Sequence, residues 1–256
     1  MTIAEEHDAF LFDLDGVLYR GEEPVPGAAG AVATLRRTGK RLAFVTNNSS
    51  RTPEAVAAKL ASVGIDASPS EVETSALATA EVLAGRGVGT AFVVGEEGIR
   101  SALADTGIEL VDVGARAPDV VVVGWDRGAD YAKLAAASLM VQRGAGLVAT
   151  NADASYPAPE GVLPGAGALL ALIVATTGAV PEVIGKPNAP LLRAALARAG
   201  GGRPLLIGDR LDTDIAGAAA LGWDSLLVLT GVSNRADLAA STVRPTYVGE
   251  DLGALF

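Results

Sequence analysis

Three short apolar runs in this chain each stop abruptly at a cluster of polar residues, and Ala-rich helical segments separate them. Ala9-Phe10-Leu11-Phe12 gives way to Asp13 and Asp15. Leu42-Ala43-Phe44-Val45 gives way to Thr46, Asn47, Asn48, Ser49 and Ser50. Residues 204–207 give way to Gly208, Asp209, Asp212 and Asp214. Continuous apolar runs of this length read as strands buried on both faces, and strands alternating with helices build a mostly parallel α/β sheet. Ligands of such sheets bind outside the carboxyl ends of the strands, where all three polar clusters fall.

The helices fill the intervals. Residues 24–40 read as a helix, with Pro26 near its start and Gly39 at its end. Thr52-Pro53 reads as an N-cap followed by proline at the first helical position, opening a helix that stops at Gly64. The middle of the chain repeats the alternation. Strands are expected at 90–94, 120–123 and 147–149, and helices near 75–84, 98–106 and 131–143. Toward the end, 191–199 and 215–221 read as helices and 225–229 as a strand. Gly85-Arg86-Gly87-Val88-Gly89 precedes a strand instead of following one, so it reads as a turn and not as a phosphate loop. With 256 residues and 50% hydrophobic content, one large domain or two small ones both remain open.

Composition removes many chemistries. No cysteine is present, which excludes disulfides, thiol nucleophiles, iron–sulfur clusters and cysteine-ligated zinc. The single histidine, His7, excludes a zinc site of several imidazoles. The formal net charge of -10 and the lack of any Lys/Arg cluster argue against nucleic acid as a partner. The acidic start, Met1 to Glu6, does not resemble a signal peptide, and the longest apolar stretch, 168–175, is too short to cross a membrane. A cytoplasmic protein with no membrane partner is the expectation. The chemistry must therefore run on carboxylates, lysine, hydroxyls and amides.

Asp13 and Asp15 are two residues apart, so in extended chain both can point to one side. Two carboxylates at a strand mouth repel each other and suit a hard cation such as magnesium. Taken alone, the pair reads equally well as an acidic turn closed by Gly16. Asp209 at a second strand end shifts the balance, because three carboxylates leave a negative field that a divalent ion would relieve. Asp212 and Asp214 read either as part of that field or as favourable charges at a helix N-terminus. Thr46, Asn47 and Asn48 offer donors that suit phosphate oxygens, although residues 48–50 read as readily as a polar loop. Lys186, between Gly185 and Pro187, reads alone as a surface lysine and in this company as a phosphate-neutralising charge.

Taken in order, 13–21, Thr46-Asn47-Asn48-Ser49, Gly185-Lys186-Pro187 and 208–215 resemble the four motifs of the haloacid dehalogenase superfamily phosphatases, in particular the nitrophenylphosphatase-like branch. The resemblance spans essentially the whole chain. It implies a Rossmann-like, doubly wound core at 1–74 and 184–256, with a smaller α/β cap inserted at 75–183 and governing substrate choice. It implies that Asp13 is the nucleophile and Asp15 the general acid and base. Thr46, Asn47, Asn48 and Lys186 would bind the substrate. Asp13, the Asp15 backbone carbonyl and Asp209 would hold Mg2+, with Asp214 supporting the site. The implied substrate is a small phosphorylated metabolite, and the family leads one to expect a homodimer formed through the cap. The low aromatic content, 4%, favours a polyol, sugar or short-acid phosphate over a nucleotide. Two alternatives remain: a phosphotransferase, which the same residues would serve, and a phosphate-metabolite binder without turnover, which would keep Lys186 and Thr46 but could dispense with Asp15. Asn151, Asp153 and Tyr156 are candidates for a specificity loop, or else form an ordinary turn with Pro157. Trp125-Asp126-Arg127 is a second candidate, or else Trp125 packs in the core.

Overall fold

The computed structural model describes residues 2–114, 117–158 and 161–256. The chain forms two units. The first comprises Met1–Thr46, Pro53–Glu73 and Lys186–Phe256, and the second comprises Asn47–Thr52 and Thr74–Gly185.

A six-stranded sheet organises the first unit. In spatial order its strands are Tyr247–Gly249, Asp224–Val228, Pro204–Gly208, Ala9–Phe12, Arg41–Thr46 and Val72–Thr74. The four pairings from Tyr247–Gly249 across to Arg41–Thr46 are parallel. Ala9–Phe12 is buried along its whole length, as its unbroken apolar sequence requires. Phe12 stands opposite Ile207 on one side and Phe44 on the other. The carboxyl ends of these three strands are therefore level, and Asp13, Gly208 and Thr46 leave the sheet at the same edge. The chain lays Arg41–Thr46 on one flank of Ala9–Phe12 and later brings Pro204–Gly208 to the other. Strand order reverses at this point, which is where a crevice opens in a doubly wound sheet.

The helix expected over residues 24–40 is shorter, running Ala28–Arg37. Glu23–Pro24 instead pairs with Tyr19–Arg20 in a small antiparallel hairpin, and Gly27 turns the chain at φ 81° before the helix begins. The helix buries Ala28, Ala31, Val32 and Leu35, a stripe at helical spacing, against the sheet core that includes Phe10, Phe12 and Phe44. Pro53–Ser62 and Ala189–Arg198 form close to their expected positions. The segment expected to become helical at 215 begins earlier, with one wide π-type turn at Leu211–Ile215 leading into the α-helix Ala216–Leu221.

The second unit has its own parallel sheet, in the order Glu182–Val183, Gly146–Ala149, Val120–Val123, Thr90–Val94 and Glu109–Leu110. The three central strands coincide with those expected, to within one residue. Its helices are Ser75–Gly85, Glu97–Asp105, Tyr131–Gln142 and Ala166–Thr177. The longest apolar stretch of the sequence lies in the last of these, which buries Ala166, Leu170 and Ile173. Among the described residues no helix is long and apolar enough to cross a membrane.

Candidate active site

Asp13 continues the central strand, and its backbone N–H still donates to the Ile207 carbonyl at 2.8 Å. Lys186 reaches it from the loop that precedes helix Ala189–Arg198. The Lys186 Nζ donates to Asp13 Oδ1 and to Asp214 Oδ1, both at 2.7 Å. Lys186 is 3% exposed and Asp214 is fully buried. Burial alone would lower the lysine pKa, yet the carboxylates of Asp13 and Asp214 hold it above the ordinary lysine value. Asp214 is itself pushed up to about 6, chiefly by burial and against the pull of Lys186. Its carboxylate packs so closely on the strand end that a Cβ at Gly208 would lie 2.2 Å from the Asp214 Cβ.

Asp209 completes the group. One of its oxygens, Oδ2, accepts the Val232 N–H at 2.6 Å. The other, Oδ1, is buried and has no hydrogen-bond partner among the described residues. Burial, reinforced by the nearby charges of Asp13 and Asp214, pushes Asp209 up to about 8. Carboxylate oxygens of Asp13, Asp209 and Asp214 all lie within 4.8 Å of one another. With all three carboxylates ionised, one lysine leaves the cluster two positive charges short; a single divalent cation would supply them and so favour the ionised forms that burial disfavours. The donors are hard oxygens, and Asp209 Oδ1 is a buried acceptor that none of the described residues satisfies. The residues therefore fit a magnesium-type ion.

The remaining expected residues are placed as follows. Asp15 is exposed, and its carboxylate is not one of the three clustered groups. Thr46 is buried at the end of its strand. Asn47 and Asn48 belong to the second unit. Asn48 Oδ1 accepts from the Ser50 N–H at 2.9 Å and the Ser50 hydroxyl at 2.7 Å, a local turn of the kind its sequence context allowed. Asp212 is paired with Arg210 at 2.8 Å and stands apart from the buried cluster.

In the second unit, the loop candidates are more than a turn. Asn47 Nδ2 donates to Asp153 Oδ2 at 3.1 Å, and the Asn47 carbonyl accepts from Asn151 Nδ2 at 2.7 Å and from the Ser75 hydroxyl at 2.6 Å. Asn151 Oδ1 in turn accepts the Asp153 N–H at 3.0 Å. Trp125 is half-buried and not a core residue. Its ring lies 4.4 Å from that of Tyr156, and its indole N–H donates to the Pro164 carbonyl at 3.2 Å. The Arg127 guanidinium stands 5.1 Å above the Trp125 ring and is gripped by Glu96 at 2.8 and 2.7 Å. That pairing holds Glu96 below the usual carboxylate range.

Sequence reading missed two contributors. Gly231 and Val232 hold Asp209 from the end of the Asp224–Val228 strand, but they act through backbone, which leaves no side-chain signature. The signal available was positional: a fourth strand end followed by Thr230-Gly231-Val232-Ser233. The bond between Asp153 and Asn47 joins residues distant in sequence, and nothing local announces it.

Comparison with known proteins agrees with this architecture. The family model for haloacid dehalogenase-like hydrolases matches residues 10–109, and a second, HAD-hydrolase-like model matches residues 183–255. A D-glycerol 3-phosphate phosphatase of Mycobacterium tuberculosis is 42% identical over 258 residues, covering 99% of this chain and 72% of the relative. An acid sugar phosphatase of Staphylococcus epidermidis is 38% identical, covering 97% of this chain and 96% of the relative. Among solved structures, a glycerol phosphate phosphatase of Mycobacterium tuberculosis in complex with magnesium superposes with a TM-score of 0.94 at 41% identity, over 100% of this chain and 78% of that one. By its two family-model matches and its relatives along nearly its whole length, this chain belongs to the haloacid dehalogenase-like hydrolases.

Proposed function

We propose that this protein is a magnesium-dependent phosphatase that hydrolyses small phosphate monoesters through an aspartyl-phosphate on Asp13. The observation that carries the reading is the buried cluster of Asp13, Lys186, Asp209 and Asp214, with its unsatisfied Asp209 oxygen and its charge deficit. Phosphate monoesters are among the least reactive biological substrates, and their transition state is loose, with charge spread over the phosphoryl oxygens. Positioning and positive charge therefore do most of the catalytic work.

In this reading Asp13 attacks phosphorus with the carboxylate oxygen not engaged by Lys186. The bond to the ester oxygen breaks, and Asp15 gives that oxygen a proton. Asp15 then takes a proton from water as the water oxygen attacks phosphorus. The bond to Asp13 breaks and inorganic phosphate leaves. Lys186 keeps Asp13 ionised and offsets phosphoryl charge, and its tie to Asp214 fixes its ammonium in place. Asp15 is exposed, which suits a group that must exchange its proton with solvent in each cycle. Thr46 and Asn47 would grip the phosphoryl oxygens. Asp13, Asp209 and the Asp15 carbonyl would hold magnesium, with Asp214 behind them. The ion would supply Lewis-acid stabilisation of the transferring phosphoryl group.

Trp125, Tyr156, Arg127, Asn151 and Asp153 of the second unit are the candidates for recognising the leaving group. Polar groups dominate this set, in keeping with a polyol, sugar or short-acid phosphate such as glycerol phosphate or phosphoglycolate. The phosphatases named among the relatives support the same class. The test is phosphate release from a panel of such esters, with and without magnesium, alongside Asp13→Asn. We expect magnesium-dependent release that Asp13→Asn reduces by more than about 10³-fold. Release that persists in Asp13→Asn would exclude this nucleophile.

A further inference from the structure

We infer that residues 230–233 are a positioning element for the metal: they engage one oxygen of Asp209 and leave the other to the ion. This rests on the proposed magnesium site and adds what sets its affinity. The segment carries no ligand of its own and lies at the end of the strand Asp224–Val228, one strand beyond the one that delivers Asp209.

The geometry is specific. Val232 N–H donates to Asp209 Oδ2 at 2.6 Å, and Ser233 N–H donates to the Asp209 carbonyl at 3.0 Å. The Ser233 hydroxyl accepts the Leu211 N–H at 3.1 Å, tying both ends of the Asp209 turn to the same segment. The Thr230 hydroxyl donates to the Gly16 carbonyl at 2.5 Å, which joins the segment to the Asp13 loop. Steric contacts act on the same oxygen. A Cβ at Gly231 would lie 1.9 Å from Asp209 Oδ2, and one at Gly16 would lie 2.4 Å from it. Two glycines and one amide therefore enclose Oδ2, while Oδ1 stays buried and without a partner among the described residues.

The physical need is clear. The terminal torsion of an aspartate is soft, with broad, roughly two-fold preference. Asp13 and Asp214 are close enough to drive an ionised Asp209 away from them. A charge-assisted bond from a backbone amide resists that rotation and fixes which oxygen faces the cluster. Groups that orient a metal ligand typically change affinity 10–100-fold when removed. Gly231 is outside the left-handed backbone region, so an alanine there adds no strain of that kind; its Cβ acts on the Asp209 side chain, 1.9 Å from Oδ2, 2.4 Å from Cγ and 2.6 Å from Cβ.

The experiment is calorimetric titration of magnesium chloride into the metal-free full chain, without substrate. Wild type is expected to bind and Asp209→Asn to lose binding, which tests the site itself. Gly231→Ala is expected to weaken magnesium at least ~10-fold. Val180→Ala, an exposed side chain outside this segment, is expected to bind as wild type. At saturating magnesium Gly231→Ala should recover most of the wild-type kcat, a split that general misfolding would not give. Should Gly231→Ala fail to fold, Thr230→Val provides a second reading, expected to weaken magnesium ~3–10-fold by the loss of one hydrogen bond. Wild-type affinity in Gly231→Ala, or in Thr230→Val if that is the variant measured, overturns the inference and leaves the magnesium site standing. No magnesium binding by wild type overturns both.

Discussion

Asp209→Asn should make the metal-free protein more stable while removing its magnesium site. Burial and the charges of Asp13 and Asp214 raise Asp209 from its ordinary 3.8 to about 8. The folded state therefore binds more protons than the unfolded chain across that window, and stability falls as pH rises through it. Each tenfold gain in proton affinity on folding corresponds to about 1.4 kcal/mol, so by pH 8 the aspartate costs the metal-free fold as much as ~5 kcal/mol. Asparagine removes the charge, keeps an acceptor for Val232 N–H, and turns an amide N–H toward Asp13 and Asp214. Burying the amide itself costs ~1–3 kcal/mol, which leaves a net gain of ~2–4 kcal/mol. At ~2–4 °C per kcal/mol, the melting temperature in chelator at pH 8 should rise by ~4–16 °C. The gap between variant and wild type should shrink as pH falls toward 5, where wild-type Asp209 is protonated in the fold. Magnesium should raise the wild-type melting temperature by mass action and leave the variant unchanged. A lower melting temperature for Asp209→Asn in chelator, or a gap that widens toward pH 5, would refute the reasoning.

Two further outcomes follow from the same geometry. Lys186→Met leaves three buried carboxylates without the cation that joins two of them, so the metal-free protein should lose ~3–5 kcal/mol at neutral pH, measured by urea unfolding in chelator, with part of the loss restored by magnesium. Asp153→Ala releases the amide of Asn47, and the KM for a phosphate ester should rise ~10-fold, about 1.4 kcal/mol, with kcat changed far less. A fall in kcat at unchanged KM would place Asp153 in a different role.

The parts of the fold legible in the sequence are those with a strong local cause. Ala9–Phe12 reads as a buried strand because no polar residue interrupts it, and Asp13 and Asp209 read as site residues because each follows such a run. Lys186 is legible only in company, since its burial depends on carboxylates 28 and 173 positions away. The start of helix Ala28–Arg37 is misread because Pro26 suggests a helix start, whereas pairing of Glu23–Pro24 with Tyr19–Arg20 takes the chain elsewhere first. Edge strands of two residues, such as Glu182–Val183, are too short for any periodicity to show. Trp125 is ambiguous because an indole suits a core and an exposed shelf alike.

The path of the chain between the two units also has a consequence for anyone who would re-engineer this enzyme. The second unit is not one excursion but two, the long Thr74–Gly185 and the six residues Asn47–Thr52. The short piece is fitted to the long one by Asn151 and Asp153, and by glycines 98, 124 and 185, where a Cβ would collide with residues 47–51. A graft that exchanged only the long piece between relatives would leave the short one facing a foreign mould. The transferable module comes in two pieces, and a chimera that exchanges this unit should carry both.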